Sequence, residues 1–442
     1  MIVKRCVSAL VLCLAVAAHA ATATIDGLTW RYSVSGGKAT IGGGSSSSPA
    51  VSTSTTGAIT IPSKLGGYPV MYIGNYAFYH CSGLTHVAIP DGVTSIGSSA
   101  FSGCSGLTSV EIRDSVTSIG DGAFYGCSGL TDVTIPGSVI SIGRYAFSDC
   151  NGLMSVTILD CVSSISIGDR AFSGCSGLTK VTIPNRASVY SSAFSGCVNV
   201  REATVPGSKC NIPFENVTNL VISTGVTSIG ADAFNGCSEL MSVMIPGSVT
   251  SIGGRAFYGC SGLTSVTIPD SVTNIWDYAF HGCSGLTNVT IPDSVMNIGD
   301  YAFYGCCWLT NVTIGNGVTS IGNHAFVGCG SLTSMTISQY VCSMGIWYLF
   351  PSAYHSITNI VISDNVTSIA NSAFAHCSGL TSITIPNRVE TIGDGAFSDC
   401  GQLTSITIPN SVETIGDGAF SSCSSLTNMV IPEGVISSGS YA

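Results

Sequence analysis

Charged side chains are scarce in this sequence. They make up 9% of the 442 residues, and only 14 residues are lysine or arginine. No basic cluster follows a phosphate backbone, so nucleic acid and anionic membranes are poor candidate partners. Low charge does not indicate disorder here, because hydrophobic residues reach 45% and recur at a fixed spacing. The composition therefore predicts an ordered protein for which no nucleic-acid partner is expected.

Long apolar runs are absent as well. No segment offers about 20 consecutive apolar residues, the length of a helix that spans a bilayer, so no transmembrane segment is predicted. At the N-terminus, Lys4-Arg5 precedes an apolar stretch, and Ala18-His19-Ala20 has the small-x-small pattern of a signal-peptide cleavage site. Residues 1–20 are therefore predicted to be a signal peptide cleaved after Ala20. This prediction makes the protein secreted or displayed on the cell surface.

The sequence is rich in one phrase, Ala-Phe-x-Gly-Cys-Ser-Gly-Leu-Thr-x-Val-x-Ile-Pro, which returns mostly every 23 residues from Ala77 to Phe420. A unit this short cannot bury its own apolar face, so successive units must stack. The alternation in Val-x-Ile predicts a short strand that proline ends, followed by a return limb whose Val, Ile, Ala and Phe point inward. Residues 58–442 are predicted to form a solenoid of about sixteen rungs.

Two segments before the repeats and two irregular places within them stand out. Residues 21–41 contain two strand-like runs around Ser35-Gly36-Gly37, which predicts a β-hairpin that caps the first rung. Residues 42–57 are rich in glycine and serine and are predicted to be a flexible linker. The short rung at residues 206–216 and the longer one before Ile362 lack the Ala-Phe-x-Gly-Cys motif. The stack is predicted to bend or bulge at these two places.

The repeated run Leu-Thr-Ser-Val-Thr-Ile-Pro-Asp-Ser-Val-Thr-Ser-Ile-Gly-x-x-Ala-Phe-x-Gly-Cys-Ser-Gly, over about residues 58–442, resembles the BspA-type leucine-rich repeats of bacterial surface proteins. The resemblance implies an α/β-type repeat in a right-handed leucine-rich-repeat solenoid, with a parallel sheet on one face and mostly irregular return limbs. It also implies binding to host matrix proteins, other bacteria or epithelial surfaces.

The residue types that carry chemistry follow the repeat instead of forming a separate constellation. Fourteen of the 20 cysteines lie three residues after the repeat Phe. Buried free thiols at a recurring turn explain this pattern best, because cysteine side chains on neighbouring rungs run parallel, which is poor geometry for a disulfide bridge. Disulfides and a metal site are the alternatives. Histidines and aspartates occupy scattered or turn positions, and no nucleophile elbow or phosphate loop is present. No catalytic, cofactor-binding or metal-binding residue is predicted, and the protein is not expected to be an enzyme.

We use the term strand face for the outward side chains of each Leu-x-x-Val-x-Ile stretch. Threonine is frequent on it, both as a good strand former and as a source of hydroxyl groups for a ligand. The departures from threonine are the charged and imidazole side chains in the N-terminal half, which are the candidate points of specificity. The predicted ligand-binding residues are His86, Glu111, Asp132, Thr134, Thr157, Lys180, Thr182, Arg201 and Glu202.

The predicted function is binding or adhesion, in which the strand face recognises a protein or glycan on a host or neighbouring cell surface. The alternative is a structural spacer or surface-layer rod without a specific ligand. An ice-binding surface is disfavoured because the expected curvature opposes a planar threonine array. No cap follows the last rung in this sequence, which predicts end-to-end self-association at an uncovered C-terminal edge.

Overall fold

The structure, a computed structural model, describes residues 20–161, 163–207, 216–427 and 429–440. It divides into two compact units. The first unit comprises residues 1–153 and 161–176, and the second comprises residues 154–160 and 177–442. Both are built from the same repeating turn, in which a longer strand and a two- or three-residue strand alternate. The predicted parallel-sheet solenoid of about sixteen turns with mostly irregular return limbs is thus confirmed.

The first unit opens with antiparallel strands. Ala20–Ile25 pairs with Leu28–Ser35, which pairs in turn with Lys38–Ile41 across the Gly36-Gly37 turn. Lys38–Ile41 then runs parallel to Tyr68–Ile73, the first return-limb strand. The remaining strands of this unit are Gly57–Thr60, Lys64–Leu65, Leu84–Ala88, Ser95–Ile96, Ser109–Glu111, Ser118–Ile119, Asp132–Ile135, Ser141–Ile142 and Ile165–Ile167.

The Gly/Ser-rich residues 42–57 contain two buried apolar side chains, Ala50 and Val51. The Ala50 carbonyl accepts a hydrogen bond from the Arg31 amide at 2.7 Å, and the Ala50 amide donates to the Ala77 carbonyl at 2.5 Å. Part of this segment therefore packs between the hairpin and the first repeat.

In the second unit, each strand of the longer set pairs in parallel with the same stretch of the next repeat. These strands are Ser155–Ile158, Lys180–Thr182, Glu202–Val205, Asn219–Ile222, Ser242–Met244, Ser265–Thr267, Asn288–Ile291, Asn311–Ile314, Ser334–Ile337, Asn359–Ile362, Ser382–Thr384 and Ser405–Thr407. The return-limb strands are Ala187–Val189, Ser228–Ile229, Ser251–Ile252, Asn274–Ile275, Asn297–Ile298, Ser320–Ile321, Ser368–Ile369, Thr391–Ile392, Thr414–Ile415 and Ser437–Ser438.

The interior of each unit is a set of columns in which one repeat position recurs. The repeat Phe forms the largest column. In the first unit Phe78 and Phe101 stack with ring centroids 4.8 Å apart, and in the second unit Phe257 and Phe280 do so at 5.2 Å. Offset or face-to-face aromatic stacks at this distance add to the hydrophobic stabilisation of burial. The repeat therefore holds together through contacts between neighbouring copies.

The recurring cysteines form a second interior column. The Cys104 thiol donates to the carbonyl of Phe78 at 3.0 Å, and the Cys283 thiol donates to the carbonyl of Phe257 at 3.1 Å. Burial raises the pKa of both thiols to about 12. Cysteine suits this tight interior turn because its side chain is small and its thiol is a weak donor that can bond to the buried carbonyl of the repeat Phe. These contacts are those of buried thiols in a structural column.

The two irregular places preserve the sheet. At the short rung, Glu202–Val205 and Asn219–Ile222 pair directly over four residues. At the longer one, Ser334–Ile337 and Asn359–Ile362 also stay in register, and the extra residues form two helices, Gln339–Met344 and Ile346–Leu349. Phe350, which follows the second helix, stacks on Phe326 at 4.8 Å and continues the aromatic column. The expected bulge before Ile362 is thus a helical return limb.

Candidate binding surface

The outward positions of the strand face follow from the alternation of the short strands. In Asp132–Ile135 the side chains are exposed, buried, exposed and buried in turn, and Asn288–Ile291 repeats that pattern. Valine and isoleucine take the buried positions because the interior column needs apolar volume. Each strand therefore offers one or two side chains to solvent, and the sheet aligns them in rows.

In the first unit two of the four predicted residues, His86 and Glu111, are held by local partners. The His86 imidazole lies 2.8 Å from the Ser109 hydroxyl on the next strand. The Glu111 carboxylate pairs with the Arg113 guanidinium at 2.8 Å. Asp132 and Thr134 are exposed on one strand. Arg113 was missed by sequence reasoning because it lies after the strand, where proline is usual.

In the second unit, the structure brings two of the predicted charges together. Lys180 and Glu202 are direct neighbours in the register of adjacent strands, and the Lys180 ammonium lies 3.1 Å from the Glu202 carboxylate. Both side chains are more than half exposed, so the pair contributes little to stability. Arg201 lies beside them, and its guanidinium donates to the Asn216 carbonyl at 3.0 Å. The result is an exposed cluster of two cations and one anion.

The threonines of the strand face divide into two groups. Those directly after the Leu position bond to the sheet itself. The Thr108 hydroxyl donates to the Thr85 carbonyl at 2.9 Å, and the Thr179 hydroxyl donates to the Met154 carbonyl at 3.1 Å. The threonines between Val and Ile, such as Thr157 and Thr182, are register neighbours. In the part of the chain that the structure describes, Thr157 and Thr182 make no such bond, and their hydroxyls face solvent beside each other.

A shallow cavity of about 300 Å³ opens on the strand face of the second unit. Thr157, Thr182 and Thr204 form one part of its lining. Leu159 and Met244 form another, and they are 45% and 65% exposed. The lining of the cavity therefore combines threonine hydroxyl groups with solvent-exposed apolar side chains.

The apolar part of this cavity was missed by sequence reasoning, although a signal is present. Val221 and Met244 occupy the position between Val or Leu and Ile where threonine is usual, on the two successive strands that follow the short rung. An apolar side chain at an exposed strand position departs from the pattern as much as a charge does.

Two further observations concern other kinds of site. Within the described ranges, histidine, cysteine, aspartate and glutamate do not gather in any group of three or more that would hold a metal ion. None of the helices in the described part of the chain combines the length and apolar composition needed to cross a membrane.

The comparisons with known proteins agree with the repeat. The family model described as "BspA type Leucine rich repeat region (6 copies)" matches residues 71–201, 160–261, 207–333 and 347–442. No match is found among the curated proteins.

Several solved structures are similar in sequence over most of the chain. A leucine-rich repeat protein from Bacteroides ovatus is 27% identical over 91% of this chain and 93% of its own, with a TM-score of 0.35. A leucine-rich cell surface protein from Faecalibacterium prausnitzii is 30% identical over 71% of this chain and 94% of its own, with a TM-score of 0.34. With the family model matched over most of its length, the chain belongs to the BspA-type leucine-rich repeat family.

Proposed function

We propose that this chain is a secreted or surface-displayed, non-catalytic binding protein that recognises a protein or glycan on a host or neighbouring cell through its strand face. The observation that carries the proposal is the cavity lined by Thr157, Thr182 and Met244 in the second unit. Exposed apolar side chains rimmed by polar ones are typical of recognition surfaces. Membership of the BspA-type family supports this proposal, because a similar protein is a leucine-rich cell surface protein, and a protein on the cell surface is accessible to such partners.

The charged cluster beside the cavity provides specificity. Lys180 is exposed on the strand that contributes Thr182 to the lining. Glu202 is exposed on the strand that contributes Thr204, and the exposed Arg201 directly precedes that strand. Rim charges select partners by complementary charge and speed their association, while buried apolar contacts supply most of the affinity. The apolar lining and mixed charge favour a protein partner at this surface. His86, Glu111, Asp132 and Thr134 of the first unit stay predicted contact positions.

The binding experiment uses arrays of extracellular-matrix proteins and glycans, probed with the full chain and with a Lys180→Glu, Arg201→Glu double variant. Reversing both charges should raise the Kd for the bound partner at least tenfold, about 1.4 kcal/mol or more. A Met244→Ser variant should weaken binding through the cavity.

Asn288→Glu is the matched control, because Asn288 lies in the same outward row several repeats away. It should leave the Kd unchanged. Equal affinity of the charge-reversed and native chains would rule out this location of the site. Absence of binding on both arrays, together with side-by-side association in sedimentation experiments, would favour the structural spacer.

A further inference from the structure

Tyrosine is concentrated on the turn that carries the Ala-Phe motif, away from the strand face. Eight of the 16 tyrosines flank an Ala-Phe pair, four directly before the Ala and four directly after the Phe. They are Tyr76, Tyr79, Tyr125, Tyr145, Tyr258, Tyr278, Tyr301 and Tyr304. Seven of them are half-buried and Tyr125 is exposed, so they lie outside the interior aromatic column that the repeat Phe forms.

In the first unit these tyrosines line a cleft of about 650 Å³. Tyr79 and Tyr125 come from repeats two apart, and the repeat between them contributes Ser102 and Gly103 to the lining. Neighbouring repeats lie about 5 Å apart, so the two phenol-bearing positions are separated by about 10 Å. That gap is as wide as one missing ring.

In the second unit, the residue directly after the repeat Phe is aromatic in three successive repeats. Tyr258, His281 and Tyr304 occupy the residue after the Phe in three successive repeats and stack at 4.5 Å and 4.9 Å, with interplanar angles of 8° and 11°. Rings at this position therefore lie face to face along the stack. Ser102 takes the place of the middle ring in the first unit, and a ring from a ligand would restore the spacing at which aromatic stacks attract.

The aromatic walls of the cleft are held in place. Tyr79 packs edge-on against Tyr76 and His80, with centroids 5.5 Å and 4.3 Å apart. The carboxylate of Asp149 beside the Tyr125 phenol raises the pKa of Tyr125. Fixed rings lose little conformational entropy when a ligand binds.

The residue directly before the Ala of the motif has a left-handed backbone conformation in both tyrosine-bearing and other repeats. Tyr76 has a φ of 58° and Tyr145 a φ of 55°. A left-handed conformation costs a bulky residue about 1–2 kcal/mol, while glycine adopts it freely. Gly122 holds the equivalent position in a repeat between them with a φ of 59°. Ser99 and Arg170 adopt the same conformation at this position, with φ of 52° and 54°, so the left-handed turn belongs to the repeat and is not particular to the tyrosines.

Beside the imidazole of His80, the charged side chains at the cleft are few and balanced. Asp121 and Arg144 contribute one negative and one positive charge to the lining, and the Asp121 carboxylate accepts a hydrogen bond from the Arg144 amide at 2.7 Å. The Arg144 guanidinium also lies 3.4 Å from Asp169. A cleft with aromatic walls and no excess charge suits an uncharged ligand that has flat apolar faces and a polar rim.

We propose that this cleft binds a neutral pyranose ring of an oligosaccharide, seated between Tyr79 and Tyr125 over Ser102. A pyranose presents C–H groups on its faces and hydroxyls around its edge. The faces pack on the two phenol rings, and the edge hydroxyls bond to the Asp121 carboxylate and the Arg144 guanidinium. The site shares no residue with the strand-face site, so each stands or fails independently.

The test uses the full chain and free neutral oligosaccharides containing glucose, galactose, mannose or N-acetylglucosamine, screened on an array and followed by calorimetric titration. Saturable binding of at least one of them is expected. Tyr125→Ala should raise its Kd at least tenfold. Ser102→Tyr should abolish binding, because the added ring fills the gap as His281 does in the second unit.

Matched variants separate this site from the rest of the molecule. Tyr304→Ala removes a ring from the filled column at the same repeat position and should leave the Kd unchanged, as should the Lys180→Glu, Arg201→Glu double variant. The proposal is overturned if no neutral oligosaccharide binds, if Ser102→Tyr binds as well as the native chain while remaining folded by circular dichroism, or if Tyr304→Ala weakens binding as much as Tyr125→Ala.

Discussion

Replacing Phe257 with alanine should lower the free energy of unfolding by about 3–5 kcal/mol. Phe257 is fully buried and stacks between Phe234 at 5.3 Å and Phe280 at 5.2 Å. Truncation removes both stacking contacts and leaves a cavity that the neighbouring repeats cannot close without moving their own rings. The measurement is urea-induced unfolding followed by circular dichroism.

Trp308→Ala is the control for this substitution. Its side chain is 66% exposed, so its removal should change the free energy of unfolding by less than about 0.5 kcal/mol. Because repeats interact mainly with their neighbours, amide hydrogen exchange should accelerate first in the repeats around Phe257. A loss below about 1 kcal/mol for Phe257→Ala would mean that the column does not depend on this ring.

The period of the sequence was enough to predict the fold and the inward residues. Phe257 recurs at a fixed distance from Val and Ile, and stacking the repeats in register buries all three positions. The role of Phe350 was not predictable in the same way, because it lies outside the motif and reaches the column only through two short helices. The repeat pattern in the sequence predicts the residues that recur in every repeat. A residue that takes the place of a repeat Phe from outside the motif can be identified only from the path of the chain in the structure.

The candidate sites show the same division. The outward position of Lys180 follows from strand alternation, but its contact with Glu202 depends on a register that crosses a 22-residue repeat. The proposed oligosaccharide cleft depends on the absence of an aromatic ring between Tyr79 and Tyr125, where Ser102 lies. Ser102 is unremarkable as a residue of one repeat and becomes informative only when its two neighbours are stacked on either side. A gap is visible in the sequence only after the stacking direction is known.

Raising the pH above 9 should destabilise the reduced protein steeply, because the buried thiols resist ionisation. Burial raises the pKa of five of them from 9.0 to about 12, namely Cys104, Cys283, Cys329, Cys342 and Cys377. Between these two values the unfolded chain releases protons that the folded chain keeps, so the unfolded state binds fewer protons and stability falls as pH rises.

Each such thiol should contribute a slope of about −1.4 kcal/mol per pH unit between pH 9 and 12, with its stabilisation fully present below pH 9. The measurement is urea unfolding at several pH values from 8 to 10.5 with a phosphine reductant present. Tyrosine and lysine also titrate in this range, so the comparison is with Cys283→Ala. That variant lacks one thiol and should show a slope shallower by about 1.4 kcal/mol per pH unit. Parallel slopes for the two proteins would show that Cys283 ionises alike in the folded and unfolded states, which contradicts its position in the interior column.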